Sequence, residues 1–231
     1  MASEQDHVFI DCGPIGLGGK GGHGHNDCLS FEATLAGVPL ISDSGTYVYT
    51  ASYEQRNEFR ATLAHNTPMI DGVEQNRFVS DEELFSLQND AKPEVRSWST
   101  SADMDIFVGT HSGYQKLDQP VFPVRKIILE KVTHRLFIQD NFEGEGTHSI
   151  RIPLHFSSGC EISERGPSNW LLKIQNQEFN LICSDTVDWT VSIRAGWVSP
   201  SYGVKIANNV IEFSREGDLS TLAIGLYPTE L

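Results

Sequence analysis

The sequence predicts an all-β fold, one large antiparallel β-sandwich carrying one or two short helices. From about residue 105 onward, segment after segment alternates apolar and polar residues or stays apolar over a strand's length. Gly, Asn, Pro and Asp punctuate these segments at spacings of roughly 8–15 residues, which suits a sandwich better than alternating βα units. At 231 residues the whole chain fits one all-β domain, and no linker, repeat or low-complexity stretch divides it. The domain is therefore read as residues 1–231.

Taken in order, HVFIDCG (7–13) and VPLISDSG (38–45) read as strands. Between them lies GPIGLGGKGG, a loop whose glycines permit positive φ and close backbone approach. SYEQRNEFRATLAH (52–65) is the best helix, with Ser52 and Gln55 matching a capping box. Tyr53, Arg56, Asn57 and Arg60 share one of its faces, and such a polar face suits the lining of a cleft. Further on, VRKIILEKV and HRLFIQDNF flank a short polar turn and predict a hairpin. SIRIPLHFS, NWLLKIQN, FNLICSD, DWTVSIRAG, GVKIANN, VIEFSRE and LSTLAIGLY complete the strands.

Composition narrows the function. A net charge of −14 and the lack of clustered Lys and Arg exclude a nucleic-acid partner. An anionic ligand would need a local positive pocket. No apolar run approaches the ~18 residues of a membrane span. MASEQDHVFID has no signal-peptide pattern, and a start so near a strand reads as a piece of a longer protein. Cys12, Cys28, Cys160 and Cys183 lack C-x-x-C spacing, and buried thiols are the expectation.

Chemistry concentrates in GGHGHNDCLSF (21–31), ISDSGTY (41–47) and AHNT (64–67), which bring together His23, His25, His65, Asp27 and Asp43. Imidazole and carboxylate suit a divalent ion such as zinc, which takes about four ligands. The competing reading leaves His25 and His65 as buried side chains satisfied by the backbone. Cys28 is a conceivable soft ligand, and Asp27 an acceptor orienting a ligating histidine. Tyr47, Tyr49 and Tyr53 offer phenols for proton transfer or simply pack. Arg56 and Arg60 either clamp an anion or solvate a helix face. His111, His134, His148 and His155 are scattered and look structural. Gly16-Leu-Gly-Gly-Lys-Gly21 fits G-x-G-x-x-G formally, but no βαβ unit surrounds it, and Lys20 precedes Gly rather than Ser or Thr, so neither nucleotide motif stands.

GPIGLGGKGGHGHNDCLSFE, SDSGTYVYT and RNEFRATLAHNT, in that order and spacing, resemble the C-terminal region of the heparinase II/III-like polysaccharide lyases. The likeness is strong over residues 8–75 and general beyond. It implies a β-sandwich that follows an α/α-toroid in full-length members. It also implies cleavage of an acidic, uronate-containing polysaccharide (heparan sulfate, heparin or alginate) by β-elimination. On this resemblance His25, Asp43 and His65 are the zinc ligands, His23 faces the substrate cleft, and Tyr53 stands where some members place a substrate-contacting tyrosine. His23 and Tyr53 are then the catalytic candidates, and Arg56 and Arg60 the substrate-binding ones. The family's principal tyrosine, its partner histidine and a carboxylate-neutralising asparagine lie in the toroid, so the chain alone is expected to be inactive. The partners are thus an acidic polysaccharide and the toroid of the same parent protein, in the periplasm, cell envelope or extracellular space. The alternative is a non-catalytic carbohydrate-binding or structural sandwich. A cupin-like metalloenzyme is a third reading, which the helical context of AHNT disfavours.

Overall fold

The computed structural model describes residues 1–184 and 188–230. In chain order its strands begin with β1 (His7–Ile10), β2 (Phe31–Leu35), β3 (Val38–Ile41), β4 (Met69–Ile70) and β5 (Pro93–Thr100). Next come β6 (Met104–His111), β7 (Val121–Glu130), β8 (Arg135–Gly144), β9 (Thr147–His155) and β10 (Glu161–Gly166). The last are β11 (Asn169–Ile174), β12 (Gln177–Ser184), β13 (Thr190–Ser201), β14 (Val204–Asp218) and β15 (Leu222–Pro228). One α-helix, α1 (Tyr53–Arg60), is followed by a 3-10 turn at Thr62–Ala64, and a second such turn spans Leu17–Gly19.

These strands form the all-β sandwich that the patterning predicts. One layer is an eight-stranded sheet in the order β10-β11-β12-β15-β8-β7-β6-β5. The other combines β13-β14-β9-β4 with the small sheet β1-β2-β3, and a bridge between Ile41 and Phe156 joins the two parts. Every ladder is antiparallel. The β7–β8 hairpin runs in register from Val121 opposite Gly144 to Glu130 opposite Arg135. Alternation then turns Ile127, Leu129, Leu136 and Ile138 inward, where they meet Ile150, Ile152, Leu154, Ile211 and Phe213 of the facing layer. Each such side chain contributes roughly 1.5–3 kcal/mol by leaving water. Trp170 and Phe213 close an edge-to-face contact across the layers at 6.2 Å.

The structure corrects two details. Regular strand begins at Pro93 rather than near 105, because β5 is an almost wholly exposed edge and lacks the apolar alternation that marks the others. GVKIANN and VIEFSRE are one 15-residue strand. The Asn208–Asn209 pair looks like a turn, yet Asn208 Nδ2 donates to Phe156 O and Asn209 Nδ2 to Cys160 O while the backbone runs on. FNLICSD lies in β12 through Ser184, and its Asp185 lies outside the described residues. Cys28 and Cys160 are buried thiols, Cys12 is half-buried, and Cys183 is buried too. No helix among the described residues is long and apolar enough to cross a membrane.

Two of the scattered histidines anchor loops and carry a pH dependence. His111 Nδ1 accepts from Gly113 N, and His155 Nε2 donates to Leu63 O. Burial pulls His111 down to about 3 and His155 down to about 4 from an ordinary 6.5. The unfolded chain therefore binds protons below about pH 6.5 that the fold rejects. These two groups leave stability level above that pH and lower it on acidification toward pH 4, by on the order of 3 kcal/mol each. Urea unfolding at pH 7.5 and 4.5 reads this directly, and a pH slope unchanged in His155→Gln would remove His155 from the explanation.

Candidate metal and substrate site

The segments that carry the histidine cluster leave the sandwich at one end and are held there by buried amides. Asn66, fully buried, donates from Nδ2 to Phe31 O and Ser42 O and accepts His155 N–H on Oδ1. One side chain thus ties AHNT to both the β2 and the SDSG segments. Asn26 does the same for HGHND, exchanging bonds with Asn76 and donating to Glu74 Oε2, which also takes Thr62 N–H. Beneath them Arg125 of β7 is fully buried, paired through Nε and Nη2 with Asp140 of β8. Its Nη1 donates to Leu29 O and to Asn66 O. The sequence reading missed Arg125, Asn26 and Asn66. Arg125 had a signal, a charge on the same alternating face as Ile127 and Leu129 and directly opposite Asp140.

The loop after β3 is equally constrained. Asp43 Oδ2 accepts Gly45 N–H at 2.6 Å, and Gly45 adopts φ +77°. A Cβ there would run into Ser199 O, so only glycine passes. This turn sets the Asp43 carboxylate, whose Oδ1 lies 2.5 Å from His65 Nδ1.

His65 is fully buried, and its Nε2 has no partner among the described residues. Burial works against its charge, but Asp43 overrides this and raises it to about 9. Burial alone would likewise raise Asp43, yet His65 and the Gly45 N–H hold it at about 2. The His25 ring lies 5.1 Å from that of His65, and burial holds His25 well below its ordinary value. His25, Asp27 and His65 place one ligand atom each within 4.8 Å of one another. Burial pushes Asp27 up to about 6.

This donor set fits a divalent ion. A neutral imidazole, a buried imidazole nitrogen lacking any partner and nearby carboxylates are what such an ion takes. Two carboxylates compete for the third position. Asp43 touches His65 Nδ1, which matches either a shared ligand shell or an acceptor that orients the ring while Nε2 ligates. Asp27 completes the compact triad in the second case. Arg56 Nη1 lies 2.6 Å from His25 Nε2, so a cation at His25 would compete with the guanidinium for the lone pair of that imidazole.

His23 is exposed and lines a cavity of about 270 Å³ with His25, Asp27, Asp11 and Cys28. It meets the edges of Tyr49 at 5.4 Å and Phe85 at 5.7 Å. Tyr49 in turn stacks on exposed Tyr202 and carries Arg56 beneath it. Tyr53, at the start of α1, is half exposed, and Ser52 caps the helix by accepting Gln55 N–H.

The polar helix face does not line the cleft. Arg56 and Arg60 are both fully buried. Arg60 donates to Asn57 Oδ1 and to the carbonyls of Glu83, Leu84 and Ser86, and lies over the Phe78 ring at 4.4 Å. It pins the 83–86 segment to the helix. Arg56 is directed at His25. As placed, neither guanidinium faces a passing polymer, a correction to the expected anion clamp, because the carbonyls that draw Arg60 inward come from irregular chain without a pattern of its own.

Residues 1–222 match the family described as heparinase II/III-like, C-terminal. A heparin-sulfate lyase of Bacteroides stercoris is 22% identical over 200 residues, which is 85% of this chain and 27% of that protein. Among solved structures, a heparinase III gene product matches with a TM-score of 0.77 at 21% identity, over 96% of this chain and 33% of its own. Heparan sulfate lyase HepC from Pedobacter heparinus matches with a TM-score of 0.77 at 17% identity, over 96% and 32%. At such identities the structural likeness speaks for the fold alone. The chain spans about a third or less of the length of these relatives.

Proposed function

We propose a function from the premise that this chain belongs to the heparinase II/III-like C-terminal family. It is the β-sandwich part of a lyase that cleaves an acidic, uronate-containing polysaccharide by β-elimination. The observation that carries this reading is the exposed His23 lining one cavity with His25 and Asp27, beside the buried His65. In the reaction a base removes the C5 proton, the C5–H electrons form the C4–C5 double bond, and the C4–O bond breaks. The departing oxygen takes a proton from an acid. His23 is the exposed imidazole able to hold or release such a proton at a ring nitrogen, and Tyr53 offers a phenol on the neighbouring helix. Tyr49 and Phe85 fix the His23 ring.

Zinc would be held by His25 and His65 with Asp43 or Asp27, and when bound it supplies positive charge and order beneath the cavity. The remaining catalytic groups belong to an α/α-toroid of the same parent protein, acting in the periplasm, cell envelope or extracellular space. The test is the ultraviolet absorbance of unsaturated uronate, followed with heparan sulfate, heparin and alginate on the parent protein and on this chain. Activity in the parent that His23→Ala and Tyr53→Phe reduce by at least about a hundredfold supports the assignment. Silence on all three polymers favours a carbohydrate-binding or structural sandwich instead.

A further inference from the structure

A second groove, sharing no lining residue with the cavity above, runs between α1 with its following 3-10 turn and the face of β9 and β13. It encloses about 480 Å³. Arg151 of β9 grips Glu212 of β14 with Nε and Nη2, at 2.8 and 3.0 Å. Arg194 of β13 adds a single Nε bond to the same carboxylate at 3.1 Å. Glu212 is buried, so one carboxylate holds two guanidinium groups that are 41% and 37% exposed. Their remaining N–H groups have no acceptor among the described residues, and a rigid fork of this kind matches a carboxylate or sulfate. At the rim stands Trp197, 42% exposed, with Lys205 Nζ over its ring at 4.7 Å. Lys205 also lies over Tyr47, whose ring packs on Phe59 of the opposite wall. Glu58 is the acid of the lining; with Lys205 beside Trp197 and Glu212 behind the two arginines, three cations stand against two carboxylates on a chain of net charge −14.

From this we infer that the groove is a second saccharide subsite, which takes one acidic sugar unit. Arg151 and Arg194 hold its carboxylate or sulfate, and the Trp197 ring supports the apolar face of the pyranose. A flat indole beside fixed cations is the surface that an anionic sugar complements. An apolar helix would leave the remaining guanidinium N–H groups without acceptors, and a neutral peptide would offer them carbonyls but no opposing charge. The loop 43–49 joins the two sites: Asp43 reaches His65, while Tyr47 backs Lys205 at the groove. A polymer long enough to bridge them is thereby gripped away from the bond being cleaved. The ligand class rests on the proposed function, whereas the geometry of the groove does not.

The test is titration calorimetry of the intact 231-residue protein with size-defined heparan sulfate oligosaccharides, alginate oligomers and a neutral cello-oligosaccharide. Arg194→Gln leaves the bidentate Arg151–Glu212 pair in place, and it should weaken acidic-oligosaccharide binding at least about tenfold and flatten its salt dependence. Trp197→Ala should weaken binding by a similar factor, and Trp197→Phe should restore most of it, which separates stacking from a folding defect. Binding by Arg194→Gln equal to wild type, equal affinity for the neutral glucan, or no binding of either acidic probe by wild type would overturn the subsite. Lyase activity is read separately by ultraviolet absorbance on the parent protein, so loss of the subsite and loss of the lyase reading are told apart.

Discussion

Arg125→Leu is expected to destabilise the protein by about 3–5 kcal/mol, the cost of stripping a buried carboxylate of its partner. Asp140, 1% exposed, would keep its charge with no guanidinium, and Leu29 O and Asn66 O would lose their donor as well. For a chain of 231 residues this corresponds to a melting shift of roughly 10 °C. The double variant Arg125→Leu/Asp140→Leu should recover much of that loss, since an apolar pair of similar volume often substitutes for a buried ion pair. It should not recover the site. Leu29 follows the HGHND segment and Asn66 follows His65, so both segments still lack the donor that seats them on the eight-stranded sheet. Urea unfolding of both variants, with zinc affinity measured in parallel, separates the two roles. A single variant that loses under 1 kcal/mol would show that water or a neighbour replaces the pair, and a double variant with wild-type zinc affinity would deny Arg125 any positioning role.

The sandwich was readable wherever one face of a strand is buried and the other wet. The β7–β8 hairpin shows this best, because alternation alone places Ile127, Leu129, Leu136 and Ile138 inside. Where burial is absent the pattern vanishes, as along β5, and where an amide side chain replaces a turn it misleads, as at Asn208 and Asn209 in β14. The histidine cluster was readable because His23, His25 and His65 are rare residues grouped in short glycine- and asparagine-rich blocks. Its supports were harder to see. Arg125 announces itself only once strand register is known, and Arg60 only once the carbonyls of 83–86 are placed against α1. A polar helix face suggests a cleft on general grounds, but a guanidinium can be buried just as well when backbone oxygens take its donors.

His65→Ala is expected to abolish stoichiometric zinc and to lower stability by several kcal/mol, because metal binding free energy adds to folding when a site forms only in the folded chain. His65 makes two separable contributions. Its Nδ1 satisfies Asp43, and its Nε2 is buried with no partner among the described residues. If only the first contribution exists, the variant loses about 2–3 kcal/mol by leaving a largely buried carboxylate unpaired, and a chelator has no effect on wild type. If the nitrogen without a partner is a ligand, chelator lowers the melting temperature of wild type but leaves His65→Ala unmoved, and the two losses do not add. The carboxylates then sort themselves. Should His65 ligate through Nε2 with Asp43 orienting the ring, Asp27→Asn removes a ligand and costs more zinc affinity than Asp43→Asn, whose loss stays within the 10–100-fold typical of an orienting acceptor. Should Asp43 itself ligate, the order reverses. Wild type that holds no zinc after purification without added metal, together with a chelator-insensitive melt, would remove the metal from the site and leave His65 as the buried partner of Asp43.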